Sequence, residues 1–281
     1  MAEVSLARSA LYVPGDAPDK LAKALDRGAD EVIVDLEDAV PAAGKEAARR
    51  AVRVWLHDLP NLDVGVWVRI NPGAMRADDV RAVADAPALT GLVVAKAETA
   101  AELEDLDRVL GSLGSSARVV PLIESASAVL RASELAAAPR VQRLQVGEAD
   151  LRADLGVTLG PDELELLHVR SSIVLASAAA GIAPPIGPVS TNFSDLDVLR
   201  HSTEALARLG FVGRACIHPA QVVIANDVFT PSDDEVARAR DLLTRFEAAG
   251  SGVALDAEGR MVDEAVARQA RLVLARSRRS R

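Results

Sequence analysis

Two stretches of the chain end an apolar run on a carboxylate: Arg118 to Glu124, RVVPLIE, and Val141 to Asp150, VQRLQVGEAD. In a barrel of parallel strands, such strand ends face the mouth where chemistry is done. Carried there from consecutive strands, Glu124 and Asp150 could hold one hard divalent cation through oxygen ligands, and a carboxylate donor set favours magnesium over zinc. The interval between them suits one strand, one helix and the next strand. Three more acids, Asp35, Glu37 and Asp38, close the run EVIVDLED, where Glu37 and Asp38 could orient metal-bound water from behind the ligands. Arg69 closes VGVWVRIN, and its planar fork suits a carboxylate. Each group has a plainer reading. Acids favour helix N-termini for electrostatic reasons alone, and Arg69 could be a structural ion-pair partner of the three acids.

The elements that would position these groups alternate between apolar strands and amphipathic helices. Strands are expected at Ser9 to Pro14, Glu31 to Asp38, Val64 to Asn71, Gly91 to Lys96, Arg118 to Glu124, Val141 to Asp150, Ile182 to Val189 and Gly213 to His218. The seventh contains three prolines, which suit a strand poorly. Between them Leu21, Leu25 and Ala29 share a helical face, Lys45 to Leu56 and ELEDLDRVL read as helices, and LELLHVRSSIVLASAAAG reads as a long one. Another covers Leu196 to Leu209. Eight strand-helix units without a linker predict a closed (β/α)8 TIM barrel over residues 1–230. The rest, 231–281, reads as a C-terminal extension that could act as a lid or pack on a neighbouring subunit. Its first helix opens with Ser232 and Glu235 in capping-box spacing; a strand-turn, VALDAEGRMV, then leads to a last helix from Asp263.

With 281 residues and 49% hydrophobic composition the chain can bury one large core, and it has no apolar run long enough for a membrane span. The N-terminus lacks a charged region followed by a long apolar one, so no secretory signal is expected. One cysteine excludes an internal disulfide framework and fits a reducing cytoplasm. The net charge of -9 argues against a nucleic-acid partner, and the basic tail RSRRSR reads as a solvated terminus. Lys96 reads as a surface or ion-paired lysine, because nothing near it in sequence would depress its pKa as a Schiff-base lysine needs. Cys216, next but one to His218, reads as a small buried hydrophobe rather than a nucleophile. His57, His168 and His201 lack metal-ligand spacing and read as helix residues.

The runs RSALYVPGD, VIVDLEDAV, VRINP, PLIESA, GEADLRADLG, CIHPAQV, VFTPS and GRMVDEAV, in this order over nearly the whole chain, resemble the citrate lyase β-subunit-like family of the HpcH/HpaI aldolase group. That resemblance implies a TIM barrel in trimeric or hexameric assemblies, with Mg2+ as cofactor. It implies Glu124 and Asp150 as magnesium ligands, with Glu124 also meeting substrate. Arg69 is implied to contact the substrate carboxylate and the oxygen on which enolate charge develops. Asp263 is implied as an acid or base supplied from a neighbouring subunit's C-terminal segment, although an aspartate there would also serve as a helix cap. Tyr12 and Lys23 are implied to line a coenzyme A channel.

One departure stands out. Where the family has a run like PIDGVYTDF, this chain has PPIGPVSTNF, with Gly187 and Asn192 in place of acids. The reading that follows is a carbon-carbon lyase, or synthase, for a short 3-hydroxy-dicarboxyl-CoA thioester such as citramalyl-CoA or malyl-CoA. Three alternatives stay open: a citrate lyase β-subunit acting on citryl bound to an acyl-carrier protein, an oxo-acid aldolase, and an inactive barrel serving as a binding or assembly subunit.

Overall fold

The computed structural model describes residues 6–60, 63–250 and 252–277. The chain divides into two compact units, Met1–Asn226 and Asp227–Arg281. In the first, strand and helix alternate: β1 (Ser9–Pro14), α1 (Pro18–Ala24), β2 (Glu31–Asp35), α2 (Lys45–Asp58), β3 (Gly65–Ile70), α3 (Arg76–Val83), β4 (Leu89–Val94) and α4 (Ala100–Ser112). There follow β5 (Arg118–Ile123), α5 (Ala126–Leu130), α6 (Ala132–Ala137), β6 (Gln145–Val146), α7 (Glu148–Leu155), α8 (Leu167–Ala180), β7 (Ile186–Gly187), α9 (Leu196–Leu209), β8 (Gly213–Cys216) and α10 (Pro219–Phe229). The eight strands close into one parallel barrel in sequence order, β8 pairing back onto β1. This is a (β/α)8 TIM barrel.

Alternate strand residues point inward, and they fill the barrel in layers. Ala10, Ile33, Trp67, Val93, Val120, Ile186 and Ala215 belong to one buried apolar cluster, with Tyr12 and Val189 packed on it. Below this layer Glu31 of β2 meets Arg143; above it, two residues on along the same stripes, stand Asp35 of β2 and Arg69 of β3. The register Asp35↔Arg69 makes them direct neighbours. The residues capable of chemistry are thus the upper ends of the inward stripes.

Several strands are shorter than the sequence suggests, and each for a local reason. β2 stops at Asp35 because its carboxylate accepts the backbone N–H groups of Glu37 and Ala39, at 2.8 and 3.1 Å, and turns the chain. β4 runs two residues earlier than expected, ending before Lys96, whose φ of 51° is left-handed. The largest difference is the sixth strand. Of Val141 to Asp150 only Gln145 and Val146 are strand, Val141 makes an isolated bridge to Val119, and Asp150 lies in the first turn of α7. Acids in a first helical turn offset its exposed N–H dipoles. Prolines at 184, 185 and 188 confine β7 to two residues. β8 ends at Cys216 because Gln221 Oε1 takes the N–H groups of Ile217 and His218.

In the second unit α11 (Asp233–Ala249) and α12 (Glu264–Ser277) pack together, joined through the antiparallel pair β9 (Ala254–Leu255) and β10 (Met261–Val262). The capping box at Ser232 and Glu235 is formed. Asp263 caps α12, its Oδ1 accepting the N–H of Val266 at 3.1 Å. No described helix is long and apolar enough to cross a membrane. Residues 278–281 of the basic tail lie outside the described residues.

Candidate active site

Above the apolar layer the barrel opens into a cavity of about 710 Å³. Tyr12, Asp35, Arg69, Glu124, Gln145 and Asp150 line it, all from strand ends or the turns just beyond. Glu124, first residue past β5, is 6% exposed. Its Oε2 accepts the backbone N–H of Lys96 at 2.7 Å, and its stem lies over Gly147, where an added Cβ would meet Glu124 Cγ at 2.4 Å. Glycine at 147 is therefore what leaves the carboxylate room. Burial, with Glu37 and Asp150 nearby, pushes the Glu124 carboxyl up to about 7 against the pull of the Lys96 amide and Arg69.

The acids at this end are not treated alike. Asp35 receives a two-pronged fork from Arg69, Nε to Oδ1 at 2.7 Å and Nη2 to Oδ2 at 2.6 Å. Glu148 receives another from Arg170, at 2.6 and 2.8 Å. Glu37 pairs with Lys96 Nζ at 2.8 Å and with Arg69 Nη1 at 2.9 Å, and Asp38 takes a longer contact from Arg69 at 3.4 Å. Burial raises the Glu37 carboxyl. Asp38, which burial alone would raise, is drawn down by its hydrogen bond with Glu37 and by Arg69 and Lys96. Glu124 and Asp150, by contrast, form no salt bridge among the described residues, although Arg69 pulls on Glu124 and Asp150 acts on Lys96 from further off.

Two carboxylates outside any salt bridge fit a magnesium ion, which takes one or two protein carboxylates and fills its remaining positions with water and substrate. No group of three or more His, Cys, Asp or Glu placed to hold a metal occurs among the described residues, so the donor set does not suit a closed zinc site.

Arg69 combines both readings that its sequence allowed. It is the ion-pair partner of Asp35, Glu37 and Asp38, and it also lines the cavity, with its guanidinium 5.2 Å above the Tyr12 ring. Lys23 lies on the cavity edge with Lys20 and Arg27. The latter two went unremarked in the sequence, though their spacing of three and four residues from Lys23 is that of one helical face. Asp35 was named only within its acidic run; period two from Glu31 and Ile33 marks it as the inward member. Gln145 was missed because nothing local distinguishes a glutamine in a short strand.

Other residues behave as expected from plainer readings. Lys96 is ion-paired, and its hydrogen bond with Glu37 raises its pKa. Cys216 is buried, which pushes its thiol up to about 12. His57, His168 and His201 sit on helices α2, α8 and α9. His218 lines the cavity and stacks on Phe193 at 5.4 Å. At Gly187 an added Cβ would lie 2.8 Å from Leu206 Cδ1, so close packing of α9 suits glycine there. Asn192 organises its loop through Oδ1, which accepts from Ser194 and Asp195 N–H groups, a task an aspartate performs equally well.

The HpcH/HpaI aldolase/citrate lyase family matches residues 8–219. A citrate lyase subunit beta-like protein of Deinococcus radiodurans is 36% identical over 279 residues, covering 96% of this chain and 97% of its own. A (3S)-malyl-CoA thioesterase of Cereibacter sphaeroides is 35% identical over 278 residues, covering 96% and 94%. Among solved structures, CitE of Mycobacterium tuberculosis in complex with magnesium, acetoacetate and coenzyme A is similar with a TM-score of 0.78 and 34% identity, over 96% of this chain and 97% of that one. A parallel barrel with this mouth and relatives matched nearly end to end lead to one assignment: the chain belongs to the HpcH/HpaI aldolase/citrate lyase family, and its chemistry is that of a carbon-carbon lyase.

Proposed function

We propose that the chain cleaves, or forms, a short 3-hydroxy-dicarboxyl-CoA thioester such as citramalyl-CoA or malyl-CoA, giving acetyl-CoA and a 2-oxo acid, with magnesium as cofactor. The observation that carries this reading is the pair Glu124 and Asp150, two carboxylates outside any salt bridge that line one cavity with the Arg69 guanidinium. These two residues would hold the ion, which as a Lewis acid polarises the substrate's carboxylate and hydroxyl oxygens.

The chemical step moves the 3-hydroxyl proton to a base, breaks C2–C3, and places the bond's electron pair in the thioester as an enolate; a proton is then returned to C2. Arg69, anchored by Asp35, presents fixed positive charge to the oxygens whose charge grows, and stabilisation that is larger in the transition state accelerates the step. Glu37 and Asp38 hold the Nη1 edge of Arg69. Lys23, with Lys20 and Arg27, gives the cavity edge the positive charge that coenzyme A phosphates require, and the CitE complex with coenzyme A supports that assignment. Asp263 supplies or removes the C2 proton from a neighbouring subunit of a homotrimer or hexamer in the cytoplasm, a role its capping geometry does not preclude.

The test is incubation of the purified chain and magnesium with a panel of hydroxyacyl-CoA esters, with products identified by mass spectrometry. Acetyl-CoA plus a 2-oxo acid supports the lyase. Free coenzyme A plus the intact hydroxy acid supports instead the hydrolysis suggested by the thioesterase relative. Asp263→Asn keeps a competent helix cap, so it should fold normally and lose turnover; full activity would end its acid-base role.

A further inference from the structure

Resting on that reading of the cavity, the geometry points to Gln145 as a positioning residue for Tyr12: its side-chain N–H, donated to the phenolic oxygen, directs the Tyr12 proton into the cavity, to an oxygen of bound substrate.

The two residues come from β6 and β1, three places apart round the closed barrel, and meet at 3.0 Å, Gln145 Nε2 donating to Tyr12 Oη. A phenol that accepts one hydrogen bond still has its own proton to give. Among the described residues Tyr12 Oη donates no hydrogen bond of its own, while the ring lies beneath Arg69, and Tyr12 and Glu124 line the same cavity. Tyr12 therefore faces the reacting end of the cavity rather than the coenzyme A channel alone.

The amide itself is an anomaly in its surroundings. Gln145 is 2% exposed, its strand neighbours across the register are Leu122 and Ile186, and its Oε1 is buried without a partner. A methionine would fill the same space with no unpaired atom, so the glutamine is kept at a cost to stability. A local rule broken without structural compensation marks a functional position. The Tyr12 phenol, raised by burial, stays protonated throughout the working range and remains a donor.

The experiment is calorimetric binding of pyruvate, in saturating magnesium, to the full chain and to Tyr12→Phe, Gln145→Met and the double variant. Tyr12→Phe should weaken pyruvate binding tenfold or more, and Gln145→Met threefold or more, while magnesium affinity stays that of the wild type and Gln145→Met melts no lower than the wild type. The double variant should bind within twofold of Tyr12→Phe, because the amide acts only through the phenol. Additive losses would overturn the positioning role. Unchanged binding in Tyr12→Phe would overturn the inference as well, and would mean that the amide is turned so that Tyr12 donates to Gln145. A wild-type chain that binds neither pyruvate nor glyoxylate, the oxo acids of citramalyl-CoA and malyl-CoA, defeats the reading of the whole cavity, whereas binding that survives Tyr12→Phe defeats this inference alone.

Discussion

At the amino-terminal end of the barrel Glu31 and Arg143 meet one to one, Arg143 Nη1 on Glu31 Oε1 at 3.1 Å and Nη2 on Oε2, with the guanidinium 4.9 Å over the Trp67 ring. Both side chains are buried, and Gly65 leaves space beside Glu31. At the other end, at the strand ends and in the first turn of α7, arginines again pair with Asp35 and Glu148, but Glu124 and Asp150 are left outside any salt bridge. The closed end is electrically balanced and only holds the barrel shut. The open end carries a desolvated carboxylate, Glu124, with the exposed Asp150 nearby, which is unfavourable for the empty fold and favourable for a cation. One fold thus shows what an ion pair kept for structure and a carboxylate pair kept for binding look like.

Substitutions at the two ends should separate these roles. Glu124→Gln removes a ligand and should lower turnover on the order of 100-fold or more, while the metal-free protein holds or gains thermal stability at pH 8. Glu31→Gln should do the reverse, with stability falling by about 3–5 kcal/mol because Arg143 is left buried and unpaired, and magnesium affinity unchanged. If both variants merely unfold, the contrast between the ends is lost. A finer version uses glycines. Gly147→Ala pushes on Glu124 and should weaken magnesium binding roughly tenfold, whereas Gly91→Ala, whose Cβ would lie 2.4 Å from Trp67 and the Arg118 carbonyl, should cost stability alone. Equal effects on metal affinity would show that the cavity senses general loosening.

The smallest effect is pH dependence. With the Glu124 carboxyl at about 7, a proton competes with the metal, so affinity should drop about fourfold between pH 8 and 6.5. The stability sign runs opposite to that of an ordinary ion-paired acid. A carboxyl raised above its unfolded value favours the fold while protonated, and that contribution is lost as pH rises through about 7. Metal-free protein should therefore melt lower at pH 8 than at pH 6, and added magnesium should remove the difference.

Much of this was legible in the sequence. Apolar runs mark the eight strands, and Asp35, Arg69 and Glu124 stand at or just past their ends, whereas Asp150, expected at the end of the sixth strand, lies in the first turn of α7. The sixth and seventh strands are shorter than their apolar runs, because apolar patterning does not show that only two residues of each find partners; turn chemistry at Gly147 and the prolines decides that. What a linear reading could not supply is which acid meets which arginine. Arg170 is 22 residues from Glu148 and Arg69 is 34 from Asp35, so the surplus at Glu124 and Asp150 emerges only when the ring closes. The Tyr12–Gln145 contact, 133 residues apart, was invisible for the same reason.

The most direct measurement is calorimetric titration of magnesium into the wild-type chain, Asp150→Asn and Glu31→Gln at pH 8. One ion should bind per wild-type and per Glu31→Gln chain, and none measurably to Asp150→Asn. Wild-type affinity retained in Asp150→Asn, or no binding to the wild type, would contradict the assignment of the unpaired carboxylates as a cation site.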